Sequence, residues 1–150
     1  MSVLITGGAG YIGSHTAIEL LNAGKEIVII DNFYNSCPVV LDRIKELTGK
    51  DFAFEKCDIR DKDALTAVFD KYDIDSVIHF AGLKSVGESC QKPLFYYENN
   101  IGGTVTLCQV MAAHGCKTMI FSSSATVYGQ NNQSPLTEDM KIGSTTNPYG

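Results

Sequence analysis

Hydrophobic positions along this chain follow two alternating rhythms. Short, nearly continuous apolar runs occupy residues 3–6, 26–30, 52–57, 75–80 and 117–121, and each has the length of a buried strand. Between them apolar residues recur at helical spacing: Ile12, Thr16, Leu20 and Leu21, then Val40, Leu41, Ile44 and Leu47, then Leu65, Val68, Phe69 and Tyr72. The longest such stretch covers residues 93–114. Leu94, Tyr97, Ile101, Val105, Cys108 and Met111 share one face of it, and Leu107 and Val110 make a second face partly apolar. Gly24 and Gly49 read as helix stops, Asp61 as an N-cap and Pro93 as a first helical residue, with a polar loop over residues 84–92. Gly102 and Gly103 inside the long helix call for close backbone packing there, since each costs up to about 1 kcal/mol relative to alanine. The run at 52–57 is the least apolar and suits an edge.

Five strand–helix alternations predict an α/β fold, a doubly wound parallel sheet with helices on both faces. Right-handed crossovers give the strand order 3-2-1-4-5. A sixth strand has no candidate, because the residues after Ser124 are turn-rich. One domain over residues 1–150 accounts for the whole pattern.

Where the first run ends, a glycine cluster intervenes before the first helix. Gly8-x-Gly10-x-x-Gly13 and Gly7-x-x-Gly10-x-x-Gly13 both fit dinucleotide-binding spacings. Backbone without Cβ atoms turns tightly, approaches a pyrophosphate and aims free helix N–H groups at it. An acidic residue is expected about 20 residues further on. Asp31 stands 18 positions beyond Gly13, at the end of the second run.

Composition narrows the partners. With 44% hydrophobic and 19% charged residues the chain buries a core, and a net charge of −5 without a basic run argues against nucleic acid. No apolar stretch approaches the roughly 20 residues of a membrane span, and Met1-Ser2 leads directly into the first strand, so a cytoplasmic location is expected. The five cysteines are scattered without a C-x-x-C pair, which favours reduced thiols packed mostly as small hydrophobes. His15 and Glu19 have the spacing of a metal pair but no third ligand, so an ordinary helix-surface pair is expected and no metal.

In an open parallel sheet the ligand crevice lies beyond the carboxyl ends of the strands. Residues collected there are Gly7, Gly10, Tyr11, Ile12 and Gly13 for a pyrophosphate, and Asp31 for the adenosine ribose. The Asp31 carboxylate repels a 2′-phosphate and favours NAD over NADP. Asp58 and Ile59 fall where an adenine would lie, Phe80, Ala81 and Gly82 where backbone meets cofactor, Lys84 near a phosphate, and Ser122, Ser123 and Ser124 near a substrate. Each also has a plain reading as a turn residue or a solvated side chain.

These blocks carry a resemblance. Thr6-Gly-Gly-Ala-Gly-Tyr-Ile-Gly13, with Asp31-Asn32, Asp58-Ile59, Ser122-Ser-Ser-Ala-Thr-Val-Tyr-Gly129 and Tyr149, resembles the extended short-chain dehydrogenase/reductases that act on nucleotide sugars. Phe80-Ala-Gly-Leu-Lys-Ser-Val-Gly-Glu-Ser89, followed by Gln91-Lys-Pro93, Tyr96-Tyr97 and Asn99-Asn100, is similar to the UDP-glucose 4-epimerase branch. The resemblance implies a Rossmann domain holding NAD, and interconversion of UDP-glucose and UDP-galactose through a 4-keto sugar. It implies Tyr149 as the base at O4 and Ser124 as its hydrogen-bonding companion. Cofactor contacts would come from Tyr11, Ile12, Asp31, Asn32, Phe33, Tyr34, Asn35, Ser36, Asp58, Ile59, Phe80, Ala81, Gly82, Leu83, Lys84, Asn99, Ser124 and Tyr149. Tyrosine, with an ordinary pKa near 10, is a base near neutrality only beside positive charge. In the family that charge comes from the nicotinamide and from a lysine four residues on, which falls at position 153, past the 150 residues. Ser85 and Gly102 stand where the branch more often has alanine and asparagine.

The expectation is therefore an N-terminal cofactor domain, lacking the substrate half, that binds NAD weakly if at all and does not turn over. A homodimer through the second apolar helix face is expected of the longer protein. Three rivals remain: a nucleotide-sugar 4,6-dehydratase, disfavoured because Ser124-Ala-Thr-Val lacks carboxylates, another nucleotide-sugar epimerase, and a non-catalytic NAD sensor, disfavoured by Ser124 together with Tyr149.

Overall fold

A computed structural model describes residues 1–150. Its strands are β1 (Ser2–Thr6), β2 (Ile27–Asp31), β3 (Ala53–Lys56), β4 (Ile74–His79) and β5 (Thr118–Phe121). They form one sheet in the order β3-β2-β1-β4-β5, with every pairing parallel. Helices α1 (Tyr11–Asn22) and α2 (Val39–Thr48) cover one face; α3 (Lys62–Lys71) and the later helices cover the other. Strand β2 explains why the sheet needs both layers. All five of its residues are buried, Ile27 and Ile29 packing with Ala17, Leu21 and Ile44, while Val28 and Ile30 pack with Leu65, Leu107 and Val110. No helix is long and apolar enough to cross a membrane.

Local signals place the helix ends. The Asp61 carboxylate accepts from the Ala64 N–H and opens α3, and Gly49 closes α2 in the left-handed conformation at φ 64°. The inward face of α1 differs from the expected one. Gly13, Ser14, Ala17 and Leu21 are buried, whereas Ile12 is half exposed, because the helix must approach the glycine turn closely and presents its small residues to do so. On α2 only Ile44 is buried and Leu47 is exposed.

The segment 84–92, expected as loop, contains a short helix α4 (Val86–Gln91), capped by the Ser85 hydroxyl accepting from the Glu88 N–H. The long helix expected from Pro93 is divided. Helix α5 (Pro93–Tyr96) runs into a π-helical turn (Tyr97–Gly102) and then α6 (Gly103–Ala113). Its buried face is Tyr96, Asn99, Gly103, Leu107, Val110 and Met111; the face of Leu94, Tyr97, Ile101 and Val105 is the exposed one. Gly103 meets Ile59 closely, as expected, but a Cβ at Gly102 would meet only the Tyr97 carbonyl oxygen, at an ordinary contact distance of 3.9 Å. Of the cysteines, Cys57 and Cys116 are buried and Cys37, Cys90 and Cys108 are exposed, so core packing accounts for two of them.

Candidate functional site

Beyond the carboxyl ends of β1, β2 and β4 lies a cleft of about 360 Å³. Its floor is the glycine turn. Gly7 is held at φ +65°, and a Cβ there would stand 2.8 Å from the Ala81 nitrogen, so both backbone conformation and space demand glycine. A Cβ on Gly13 would strike the Gly7 carbonyl oxygen. Gly10 precedes α1 and no side chain caps the helix. The free N–H groups of its first turn, with the positive end of the helix dipole, sit where Gly10, Tyr11, Ile12 and Gly13 line the cleft.

Asp31 closes the opposite wall. It is 7% exposed, and its Oδ2 accepts from the Ala9 N–H at 3.0 Å. Oδ1 accepts from the Phe33 N–H at 2.9 Å and from the Ser36 hydroxyl at 2.8 Å. One carboxylate therefore organises the glycine turn and the 32–36 loop together. Phe33 sits at φ 60°, a strained conformation for a residue with a Cβ, and packs on Phe54. Asn32, Tyr34 and Asn35 line the cleft; Phe33 and Ser36 support it from behind.

Asp58 does not line the cleft but is hydrogen-bonded to Asn32, which does. Its carboxylate accepts from the Arg60 N–H, Nε and Nη2 and from Asn32 Nδ2 at 2.8 to 3.0 Å. The hydrogen-bonded Arg60 guanidinium holds the Asp58 carboxyl well below the usual carboxylate range. Ile59, its neighbour, does line the cleft, with Cys57.

After β4, Phe80, Ala81, Gly82, Leu83 and Lys84 form a wall shared with a second cleft, of about 460 Å³; Ala81 to Lys84 line both. Asn100 clamps this wall by accepting from the Leu83 N–H and donating to the Leu83 carbonyl, each at 2.8 Å. The buried Tyr96 hydroxyl accepts from the Ser85 N–H at 3.1 Å and donates to Glu88 Oε2 at 2.9 Å. The π turn sets consecutive asparagines to separate tasks: Asn99 faces the first cleft and Asn100 the second. Ser122, Ser123, Ser124 and Tyr149 line the second cleft, so the two residues implied as catalytic share one cavity. Ser124 also accepts from the Thr126 N–H at 3.3 Å and the Thr126 hydroxyl at 3.1 Å, starting a short 3₁₀ turn.

Sequence reading overlooked His79. It is 1% exposed, with Nδ1 2.6 Å from the Thr6 hydroxyl and Nε2 2.9 Å from the Thr104 hydroxyl. Burial, aided by the Lys84 charge, pushes its pKa down to about 4. The available signal was that Thr6 and His79, both polar, end neighbouring strands, and β1 pairs with β4 in that register.

Glycine turn, uncapped helix and acidic residue at the tip of β2 together define a doubly wound nucleotide-binding domain. Comparison with known proteins is more specific. Residues 3–150 match the NAD dependent epimerase/dehydratase family, and the chain belongs to it. A UDP-glucose 4-epimerase of Bacillus subtilis (strain 168) is 57% identical over 150 residues, covering 100% of this chain and 44% of that protein. The Homo sapiens UDP-glucose 4-epimerase is 56% identical over 154 residues, covering 99% of this chain and 44% of its own length. A solved UDP-glucose 4-epimerase from Bifidobacterium longum, in complex with NAD+ and UDP, superposes with a TM-score of 0.96 at 52% identity, over 99% of this chain and 44% of that one. The chain thus spans under half the length of the relatives it matches.

Proposed function

We propose that this chain is the cofactor-binding part of a UDP-glucose 4-epimerase, with NAD bound across the two clefts. The observation that carries the reading is the shared wall of Ala81 to Lys84, which joins the glycine-turn cleft to the cavity of Ser124 and Tyr149. The residues fit a dinucleotide. Free N–H groups at Tyr11 to Gly13 suit a pyrophosphate, and Asp31 suits the adenosine ribose and opposes a 2′-phosphate. Lys84 lies on the wall shared by the two clefts, where its charge would suit a phosphate.

When bound, NAD supplies a reversible hydride acceptor at C4 of the hexose. The chain's own residues manage the proton. Tyr149 takes the O4 proton as the C4–H pair leaves as hydride, and returns it when hydride comes back to the other face. Ser124 donates a hydrogen bond to the same oxygen. Atoms and electrons balance, because the sugar is oxidised to a 4-ketone and then reduced, with no net redox change. Between the two transfers the 4-keto sugar rotates within the second cleft.

Calorimetric titration of the 150-residue chain with NAD and with NADP tests the cofactor reading, with weak NAD binding expected and NADP weaker still. The chain alone is expected not to interconvert UDP-galactose and UDP-glucose, and near-normal turnover by it would sink the division of labour proposed here.

A further inference from the structure

His79 lines neither cleft but is hydrogen-bonded to segments that lead into both. Its main-chain carbonyl accepts from the Ser122 N–H at 3.1 Å, at the head of the serine block. Its imidazole reaches Thr6, which ends β1 at the glycine turn, and Thr104, which follows the π turn. The Thr6 hydroxyl oxygen also accepts from the Ala81 N–H at 3.2 Å.

The donors fix the direction of this chain of bonds. The Thr104 hydroxyl gives its proton to the Asn100 carbonyl at 2.6 Å, so toward His79 it accepts from Nε2–H. Nδ1 is therefore bare and accepts from the Thr6 hydroxyl, which in turn accepts from Ala81. Ala81, Thr6, His79, Thr104 and Asn100 form one continuous run through a neutral imidazole, with every donor and acceptor used once. No buried side-chain nitrogen or oxygen in the chain lacks a partner.

We infer that His79 is a positioning residue that sets the spacing between the two clefts, holding Ala81 and the glycine turn through Nδ1 and the Asn99-Asn100 turn through Nε2. The inference rests on the reading in which a dinucleotide spans both clefts, since hydride transfer fails when reacting groups are misplaced by about an ångström. The Asn100 side chain also ties the π turn to the shared wall, at Leu83, whereas His79 ties the segment after that turn to the end of β1. His79 lines neither cleft itself, so it acts through Thr6 and Thr104 and, beyond them, through Ala81 and Asn100.

Two substitutions separate its two bonds. His79→Asn keeps an acceptor near Nδ1 for Thr6 and abandons Thr104; His79→Gln keeps a distal donor for Thr104 and abandons Thr6. Amide hydrogen exchange on the ligand-free chain and the NAD dissociation constant are measured for both, with thermal stability recorded alongside. Exchange at the Ala81 N–H and the NAD dissociation constant should each rise about tenfold in His79→Gln and stay within about threefold in His79→Asn, the size of one lost hydrogen bond. Should the histidine variants fold poorly, Thr6→Val is expected to reproduce the loss and Thr6→Ser to restore it. Equal effects in all variants, following melting temperature alone, would overturn the inference, as would unchanged Ala81 exchange in His79→Gln. If the exchange pattern holds but the wild-type chain binds no NAD, the cofactor reading fails and the wall-positioning role stands.

Discussion

Asp31 Oδ2 accepts a hydrogen bond from the Ala9 N–H at 3.0 Å, joining the acidic tip of β2 to the middle of the glycine turn across 22 residues of sequence. The carboxylate thus shapes the cradle as well as lining the cleft. Asp31→Asn leaves one oxygen for three protein donors, Ala9, Phe33 and Ser36, and sets an amide N–H₂ against one of them. The expected cost is about 1–3 kcal/mol of stability, measured by urea unfolding. NAD affinity should fall at least about tenfold, the equivalent of one lost charged hydrogen bond. Full NAD affinity with normal stability would show that the carboxylate organises nothing.

His79 predicts acid sensitivity. Its folded pKa, about 4, lies below the 6.5 of a free histidine, so the unfolded chain binds the extra proton and stability is complete only above about pH 6.5. Stability should decline as pH falls from about 6.5 towards 4, with about 2 kcal/mol lost by pH 5. His114 works in the opposite sense. Hydrogen bonds to the Val110 carbonyl and to Asp70 raise its pKa, so its contribution is present in acid and fades as pH rises. Asp58, held low by Arg60, gives up its contribution only below the ordinary carboxylate range. Urea titrations from pH 7 to 5 should therefore slope in the wild type and flatten in His79→Asn. A flat wild-type profile would contradict the burial of a neutral imidazole.

Strand order and the glycine cradle were legible because strands β2 and β4 and the Gly7 to Gly13 turn obey local rules of spacing and backbone geometry. The placement of Tyr149 and Ser124 in one cavity was legible only through resemblance, since nothing in their spacing brings them together. Three features escaped. The inward face of α1 is set by how close Gly13 must come to Gly7, which outweighs the larger side chains of Ile12 and Leu20. The π turn at Tyr97–Gly102 leaves no mark on apolar periodicity beyond a shift of one residue. His79 and Thr104 pair through space across 25 residues, and a buried histidine satisfied by two hydroxyls has no motif.

Adjacent glycines give a paired test of packing. A Cβ at Gly103 would stand 2.5 Å from Ile59 Cδ1 and 2.7 Å from its Cγ1, and Ile59 is buried against the first cleft. Gly103→Ala should push Ile59 toward the cleft and cost about 1–3 kcal/mol by overpacking, partly offset by the better helix propensity of alanine. Gly102→Ala meets only an ordinary contact and should stabilise by up to about 1 kcal/mol. Thermal melts of the two variants should move in opposite directions. Movement of both in the same direction would mean that the π turn, not the Ile59 contact, governs this segment.

Tyr149 and Ser124 make the sharpest prediction for the longer enzyme. Both line the second cleft, and the proposed mechanism gives them different tasks, Tyr149 to move a proton and Ser124 to hold the oxygen it leaves. Removing the phenolic oxygen with Tyr149→Phe abolishes proton transfer and should lower kcat by about 10²–10⁴-fold, with KM little changed and NAD still bound. Ser124→Ala removes only a hydrogen-bond donor, and its kcat should fall by about 10-fold, one lost bond converted to rate. Ser124→Thr keeps the hydroxyl and should recover most of that loss. The 150-residue chain carries both residues but spans under half the length of the relatives it matches, and its UDP-hexose turnover should be undetectable even with NAD bound. Comparable kcat values for Tyr149→Phe and the wild-type enzyme would assign the base elsewhere in the second cleft.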